Sequence, residues 1–113
     1  WLKMTEKLPN CPVEISLMFI GNKWSALILR DLMDGPQRFS QLQRSIGGIT
    51  QKVLTTNLRQ MEERGILTRT VYPEVPPRVE YELTEIGYSL QDVLSALGAW
   101  GEKYRTSKAH TMN

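Results

Sequence analysis

Residues 38–60 carry Arg38, Arg44, Lys52 and Arg59 but no Asp or Glu, a local charge of +4 in a chain whose net charge is only +2. Guanidinium and ammonium groups with no intervening carboxylate suit a polyanion, because a face that is merely solvated normally mixes both signs. Within this run, a helix capped by Thr50 puts Leu54, Leu58 and Met61 on one side when successive residues are turned by about 100°. Lys52, Thr56, Arg59 and Glu63 then fall on the other side, with Thr55 at the shoulder and Gln51 near the start. Arg, Lys and Gln in such a row match the hydrogen-bonding edges of bases, and Thr can meet an edge or a methyl group. The free amides at the helix start suit a phosphate. An ordinary surface helix also has a polar outer face, so this helix alone does not decide the matter.

Other chemistry is poorly supplied. One cysteine makes no internal disulfide, and one cysteine with one histidine makes no protein-only structural zinc site. No carboxylates pair in a polar pocket and no nucleophile stands beside a base. Gly47-Gly48 lacks the flanking strand and the Lys-Ser/Thr of a phosphate-cradling loop. His110 lies near the polar end and is given no role. Neither catalysis, a metal nor a cofactor is expected. Cys11 precedes Pro12 at a helix start, where amides and the helix dipole favour a thiolate. Its alternative is an inert, partly buried residue of small apolar character.

The elements that must position the basic run follow from the breaks. At 113 residues, 41% hydrophobic and 23% charged, the chain makes one globular domain. No apolar run reaches about 18 residues, which excludes a transmembrane helix. The opening Trp1-Leu2-Lys3-Met4-Thr5-Glu6 has no secretory apolar core, so a cytoplasmic location is expected. Pro12 starts a first helix carrying Val13, Leu17 and Ile20. Asn22 caps a second, bearing Trp24, Leu27, Ile28 and Leu32 and stopped by Gly35-Pro36. Trp24 reads as core and Lys23 as a solvent-facing helix-start residue. A short third helix spaces Phe39, Leu42 and Ile46, and Gly47-Gly48-Ile49 turns into the Thr50 helix, which runs to about Arg64.

After Gly65 the period falls to two in Leu67, Arg69, Val71 and again in Val79, Tyr81, Leu83, around Pro73-Glu74-Val75-Pro76-Pro77. Two antiparallel strands with a stiff loop are implied. Thr84 caps a last helix to about Tyr104, and residues 106–113 read as a polar, frayed tail. A short helix, a Gly turn, a second helix and a hairpin make a winged helix-turn-helix. The fold class is α+β, mainly α, with a two-stranded hairpin wing and a long C-terminal dimerisation helix at about 84–104. The DNA-facing set is Arg38, Ser40, Gln41, Arg44, Thr50, Gln51, Lys52, Thr55, Thr56, Arg59, Arg69 and Arg78. For Arg69 and Arg78 the competing role is cross-strand pairing with Glu80 or Glu82.

Ile86, Leu90, Val93, Leu97 and Trp100 step by four, three, four and three residues, the period of a helix packed along another helix. Leu94 widens the stripe, and Gly87, Gly98 and Gly101 allow close backbone approach. The stripe could serve the winged-helix core alone. Because that core is already nearly closed, a second copy is expected, with Leu2, Met4 and Leu8 adding to the seam. Residues 79–102 contain five carboxylates and no Lys or Arg, so this end of the domain is acidic.

The stretches Cys11-Pro12-Val13-Glu14, Ile20-Gly21-Asn22-Lys23-Trp24 and Leu29-Arg30-Asp31-Leu32 resemble the start of HxlR-type winged-helix regulators. The similarity continues through Arg38-Phe39-Ser40-Gln41-Leu42, Gly48-Ile49-Thr50-Gln51-Lys52-Val53-Leu54, the proline-rich wing from Val71 to Tyr81, and Leu83-Thr84-Glu85-Ile86-Gly87. It covers about residues 11–101. Asn22 departs from the Gly usual there. The resemblance implies a small bacterial transcriptional regulator that binds a pseudo-palindromic operator in double-stranded DNA as a homodimer. Some of its members sense oxidants or electrophiles through a cysteine at the position matching Cys11, and a small-molecule or electrophile inducer would be the further partner. A winged helix used only for protein interaction is the alternative, and it has no need of a carboxylate-free basic run.

Overall fold

The computed structural model describes residues 7–112, with side chains through residue 109. Helix α1 (Pro12–Ile20) leads to α2 (Lys23–Leu32), strand β1 (Gln37–Arg38), α3 (Phe39–Ser45) and α4 (Gln51–Glu63). Strands β2 (Leu67–Tyr72) and β3 (Arg78–Leu83) form the hairpin, followed by α5 (Glu85–Tyr88) and α6 (Gln91–Met112). The winged helix-turn-helix read from the residue pattern is the fold.

The core is built by the apolar faces that the helical spacing selects. Ile28, Leu29 and Leu32 of α2, Leu42 of α3, and Leu54, Leu58 and Met61 of α4 close on Ile46, Ile49, Ile66, Leu67 and Leu83. Trp24 packs half-buried against this cluster, and the Lys23 ammonium lies 4.8 Å from the centre of its ring. Helix α1 is shallower: none of its residues is fully buried, Phe19 and Ile20 touch the core, and Val13 and Leu17 face outward. Gly48 makes the turn between α3 and α4 at φ +86°, a left-handed conformation that side chains rarely adopt.

Three features depart from the sequence expectation. Gln37 and Arg38 pair with Tyr81 and Glu80, so the sheet has three strands in the order β1-β3-β2. The last helix is broken: Thr84 caps the single turn α5, and α6 begins only at Gln91. Thr84 accepts from the Gly87 amide, while its hydroxyl reaches the carbonyls of Gly65 and Ile66 at 2.7 and 3.0 Å, fastening α5 to the start of β2. Finally, residues 106–112 are helical rather than a frayed tail, since α6 continues to Met112.

These corrections redistribute the expected dimer stripe. Ile86 sits on α5 and is exposed, whereas Leu90 and Leu94 pack on the chain's own core. Val93 is half-buried, and Leu97 and Trp100 are exposed. From residue 95 to 109 every side chain of α6 is exposed, so this half of the helix touches little of its own domain. Trp100 and Tyr104 stack there with ring centres 5.5 Å apart. Gly87 makes its close approach inside the chain, to Ile66, while Gly98 and Gly101 face open space. Leu8 is exposed; Leu2 and Met4 lie outside the described residues. Among the described residues no helix is long and apolar enough to cross a membrane.

Candidate nucleic-acid interface

Helix α4 is held from beneath by Leu54, Leu58 and Met61, which are at most 5% exposed. That anchoring turns Gln51, Lys52, Thr56 and Arg59 into solvent, with Thr55 half-buried at the shoulder. The sequence-derived face is therefore assembled as a row on one helix. The Thr50 hydroxyl accepts from the Val53 amide at 3.2 Å, fixing the first turn of α4. Thr56 donates to the Lys52 carbonyl at 2.9 Å, so its hydroxyl proton is used within the helix and its methyl group is left for an apolar contact.

Arg38, the N-cap of α3, and Ser40, Gln41 and Arg44 on α3 are all exposed. The Gln41 side-chain oxygen accepts from the Arg38 amide at 2.8 Å, so Gln41 also serves as the cap of that short helix. α3 and α4 thus present their basic side chains on either side of the Gly48 turn.

The wing arginines behave differently from each other and from expectation. Strand register sets Arg69 opposite Tyr81, not Glu80 or Glu82, and its guanidinium lies 3.8 Å from Glu62 of α4. Both partners are over 40% exposed, so this pair contributes under about 1 kcal/mol and yields readily to a stronger anion. Arg59, Arg69, Thr55, Glu62 and Tyr81 surround a cleft of about 230 Å³ between α4 and the wing. Burial raises the Tyr81 phenol above its usual range, so it stays a hydroxyl donor. Arg78 is committed: it contacts Glu74 at 3.2 Å and Glu80 at 3.6 Å, and stacks 4.1 Å from the centre of the Tyr72 ring. Its Nε is buried without a hydrogen-bond acceptor. The cross-strand pairing expected for Arg78 is not seen; it pairs instead with Glu80 on its own strand and Glu74 on the loop.

Tyr81 and Glu62 were not singled out by their sequence pattern. Tyr81 alternates like any strand aromatic, and only the β2–β3 register brings it under Arg69. Asn57 was missed as well. It lies between the apolar stripe and the exposed row, and its partner is 32 residues away in the chain.

Cys11 is the N-cap of α1, exposed and unpaired in any disulfide, and its side chain makes no capping hydrogen bond. In the single chain it is not the partly buried residue of the alternative reading. Among the described residues no three His, Cys, Asp or Glu side chains gather as a metal would require.

Comparison with known proteins adds the lineage. The HxlR-like helix-turn-helix model matches residues 19–109. An uncharacterised HTH-type transcriptional regulator of Methanothermobacter thermautotrophicus is 52% identical over 94 residues, spanning 83% of this chain and 72% of that protein. The uncharacterised HTH-type transcriptional regulator YtcD of Bacillus subtilis is 48% identical over 101 residues, 89% of this chain and 80% of its own. The structure of the redox regulator HypR in its reduced form superposes with a TM-score of 0.82 at 41% identity, covering 88% of this chain and 99% of that one. Its oxidised form gives 0.77 at 44% identity, covering 82% and 96%. Since the match takes in the turn, the basic helix, the wing and most of α6 together, the chain belongs to the HxlR-like helix-turn-helix family.

Proposed function

We propose that this protein is a cytoplasmic transcriptional regulator, not an enzyme, that binds a pseudo-palindromic operator in double-stranded DNA as a homodimer. The observation that carries this is the row Gln51, Lys52, Thr56 and Arg59, turned outward on a helix whose other face is locked in the core, within a 23-residue run free of carboxylates. Such a helix enters the major groove while the preceding one contacts backbone phosphate. The names of its relatives point the same way. The exposed apolar residues of α1, α5 and α6 support self-association, which would set two recognition helices about 34–36 Å apart.

Salt-dependent binding to duplex DNA tests this directly. Counterion release gives a regulator a steep fall in affinity with salt, and a winged helix used only for protein contacts shows little binding at any ionic strength. Arg59→Ala is expected to cost ~1–3 kcal/mol in operator binding and to relax preference at one base pair if Arg59 reads an edge. Lys52→Ala should weaken all sequences alike if it touches phosphate. Both side chains are exposed, so thermal stability should stay put. Unchanged affinity in both variants refutes the groove assignment.

Regulation is assigned to Cys11. Its support is its exposure at the start of α1, the helix least buried in the fold, together with the naming of the relative HypR as a redox regulator. An electrophile such as a quinone adds to the thiolate sulphur and leaves bulk at the head of α1. Operator release after alkylation is expected for the wild type and not for Cys11→Ser. If alkylated wild type binds the operator as before, Cys11 has no regulatory part, and an inducer bound at the dimer seam becomes the better account.

A further inference from the structure

Ser25 of α2 is the one buried polar or charged residue among the described residues, at 4% exposure. Its hydroxyl donates to the Asn57 side-chain oxygen on α4 at 2.9 Å. The Asn57 amide group in turn donates to the Val53 carbonyl one turn back, at 2.8 Å, which fixes its rotamer. At the other end, Asn22 accepts from the Ser25 amide at 2.9 Å and sets the first turn of α2. A directed chain of hydrogen bonds thus runs from the cap of α2 to the flank of α4.

Along the buried face of α4 the other contacts are apolar, from Val53, Leu54, Leu58 and Met61, while the polar contacts of its last turn and C-cap, Glu62 with Arg69 and Arg64 with the Met18 carbonyl, lie at the far end of the helix. Apolar burial is non-directional and tolerates a few degrees of rotation about the helix axis. With side chains ending roughly 6 Å from the axis, a turn of about 20° moves the tip of a residue such as Arg59 by about 2 Å. That exceeds the tolerance of a hydrogen bond to a base edge. The Ser25–Asn57 bond is directional and partly buried, so breaking it leaves polar groups poorly satisfied and resists such a turn.

We infer that Ser25 and Asn57 are positioning residues that set the rotation of α4, and through it the sequence discrimination of the protein. This rests on the DNA-binding function proposed above. Neither residue need touch DNA. Asn22 steadies the Ser25 end of the link.

The test uses the full chain and a duplex enriched by the wild-type protein from a randomised double-stranded library, beside a scrambled duplex of equal composition. Ser25→Ala removes only a hydroxyl and opens no space of consequence, so it folds; Asn57→Ala is the second variant. Each is expected to lower affinity for the enriched duplex about tenfold, the size of one lost base contact. Affinity for the scrambled duplex and the slope of affinity against salt stay unchanged. The Ser25→Ala/Asn57→Ala double variant should be no weaker than the weaker single, because the Ser25–Asn57 bond is already broken in each single. Equal losses on both duplexes, accompanied by a lower melting temperature, would make the bond a stability feature and overturn the inference. Additive losses in the double variant overturn it too. Absence of salt-dependent binding by the wild type would instead remove the DNA-binding function itself.

Discussion

Leu97→Glu is expected to yield a folded monomer whose operator affinity is lower by about a hundredfold or more, the order by which linked binding exceeds single-site binding. Leu97 is 48% exposed in the single chain, and every neighbour on α6 from residue 95 to 109 is exposed as well. A carboxylate there meets water in the monomer, so the fold is untouched. In a seam between two α6 helices the same carboxylate is desolvated without a partner, which is strongly unfavourable. Trp100 and Tyr104, stacked on the same helix, supply the aromatic area that the seam would bury. Sedimentation at tens of micromolar is the check. A monomeric wild type, or a variant that remains dimeric, defeats the assignment of this face.

Gly87→Ala is expected to destabilise the domain by about 3 kcal/mol. A Cβ on Gly87 would lie 2.2 Å from the Ile66 carbonyl oxygen and 3.2 Å from the Leu83 Cβ. The first of these is backbone, already accepting from Thr84, and it cannot swing aside as a flexible side chain would. Relief requires lifting α5 from the base of the hairpin, at the point where the core residues Ile66, Leu67 and Leu83 converge. Gly98→Ala serves as the control. Nothing lies within 4 Å of its added methyl, and a helical Gly→Ala change is stabilising by about 0.5–1 kcal/mol. Denaturant midpoints of the two variants should move in opposite directions. If the Gly87→Ala midpoint matches wild type, the close approach is not a constraint on the fold.

Much of the architecture could be read from single residues because those residues act locally. Pro12, Asn22, Thr50 and Gly65 each fix a helix end through their own backbone or side chain, and the helices start and stop there. The strands were equally visible in the alternation of Leu67 to Tyr72 and Arg78 to Leu83. β1 was not, since two residues cannot display a period and Gln37 and Arg38 pair only because β3 is beside them. The division between α5 and α6 was hidden for the opposite reason. The apolar spacing from Ile86 to Trp100 runs unbroken across Ser89 and Leu90, although its members serve different surfaces. The exposed row on α4 followed from helical geometry. The neighbours of Arg69 and the Ser25–Asn57 bond depend on contacts between segments separated along the chain, and nothing local encodes them.

The wing loop has a consequence for the thermodynamics of docking. Pro73, Pro76 and Pro77 fix three of the five backbone φ angles between the strands, and Arg78 clamps the base of the loop to Tyr72, Glu74 and Glu80. Val75 is fully exposed at the tip. A flexible loop of this size would surrender backbone freedom worth about 1–2 kcal/mol per ordered residue when it settled on a surface. Here most of that freedom is already gone before any partner arrives. The tip can therefore meet a sugar edge or another apolar surface at small entropic cost.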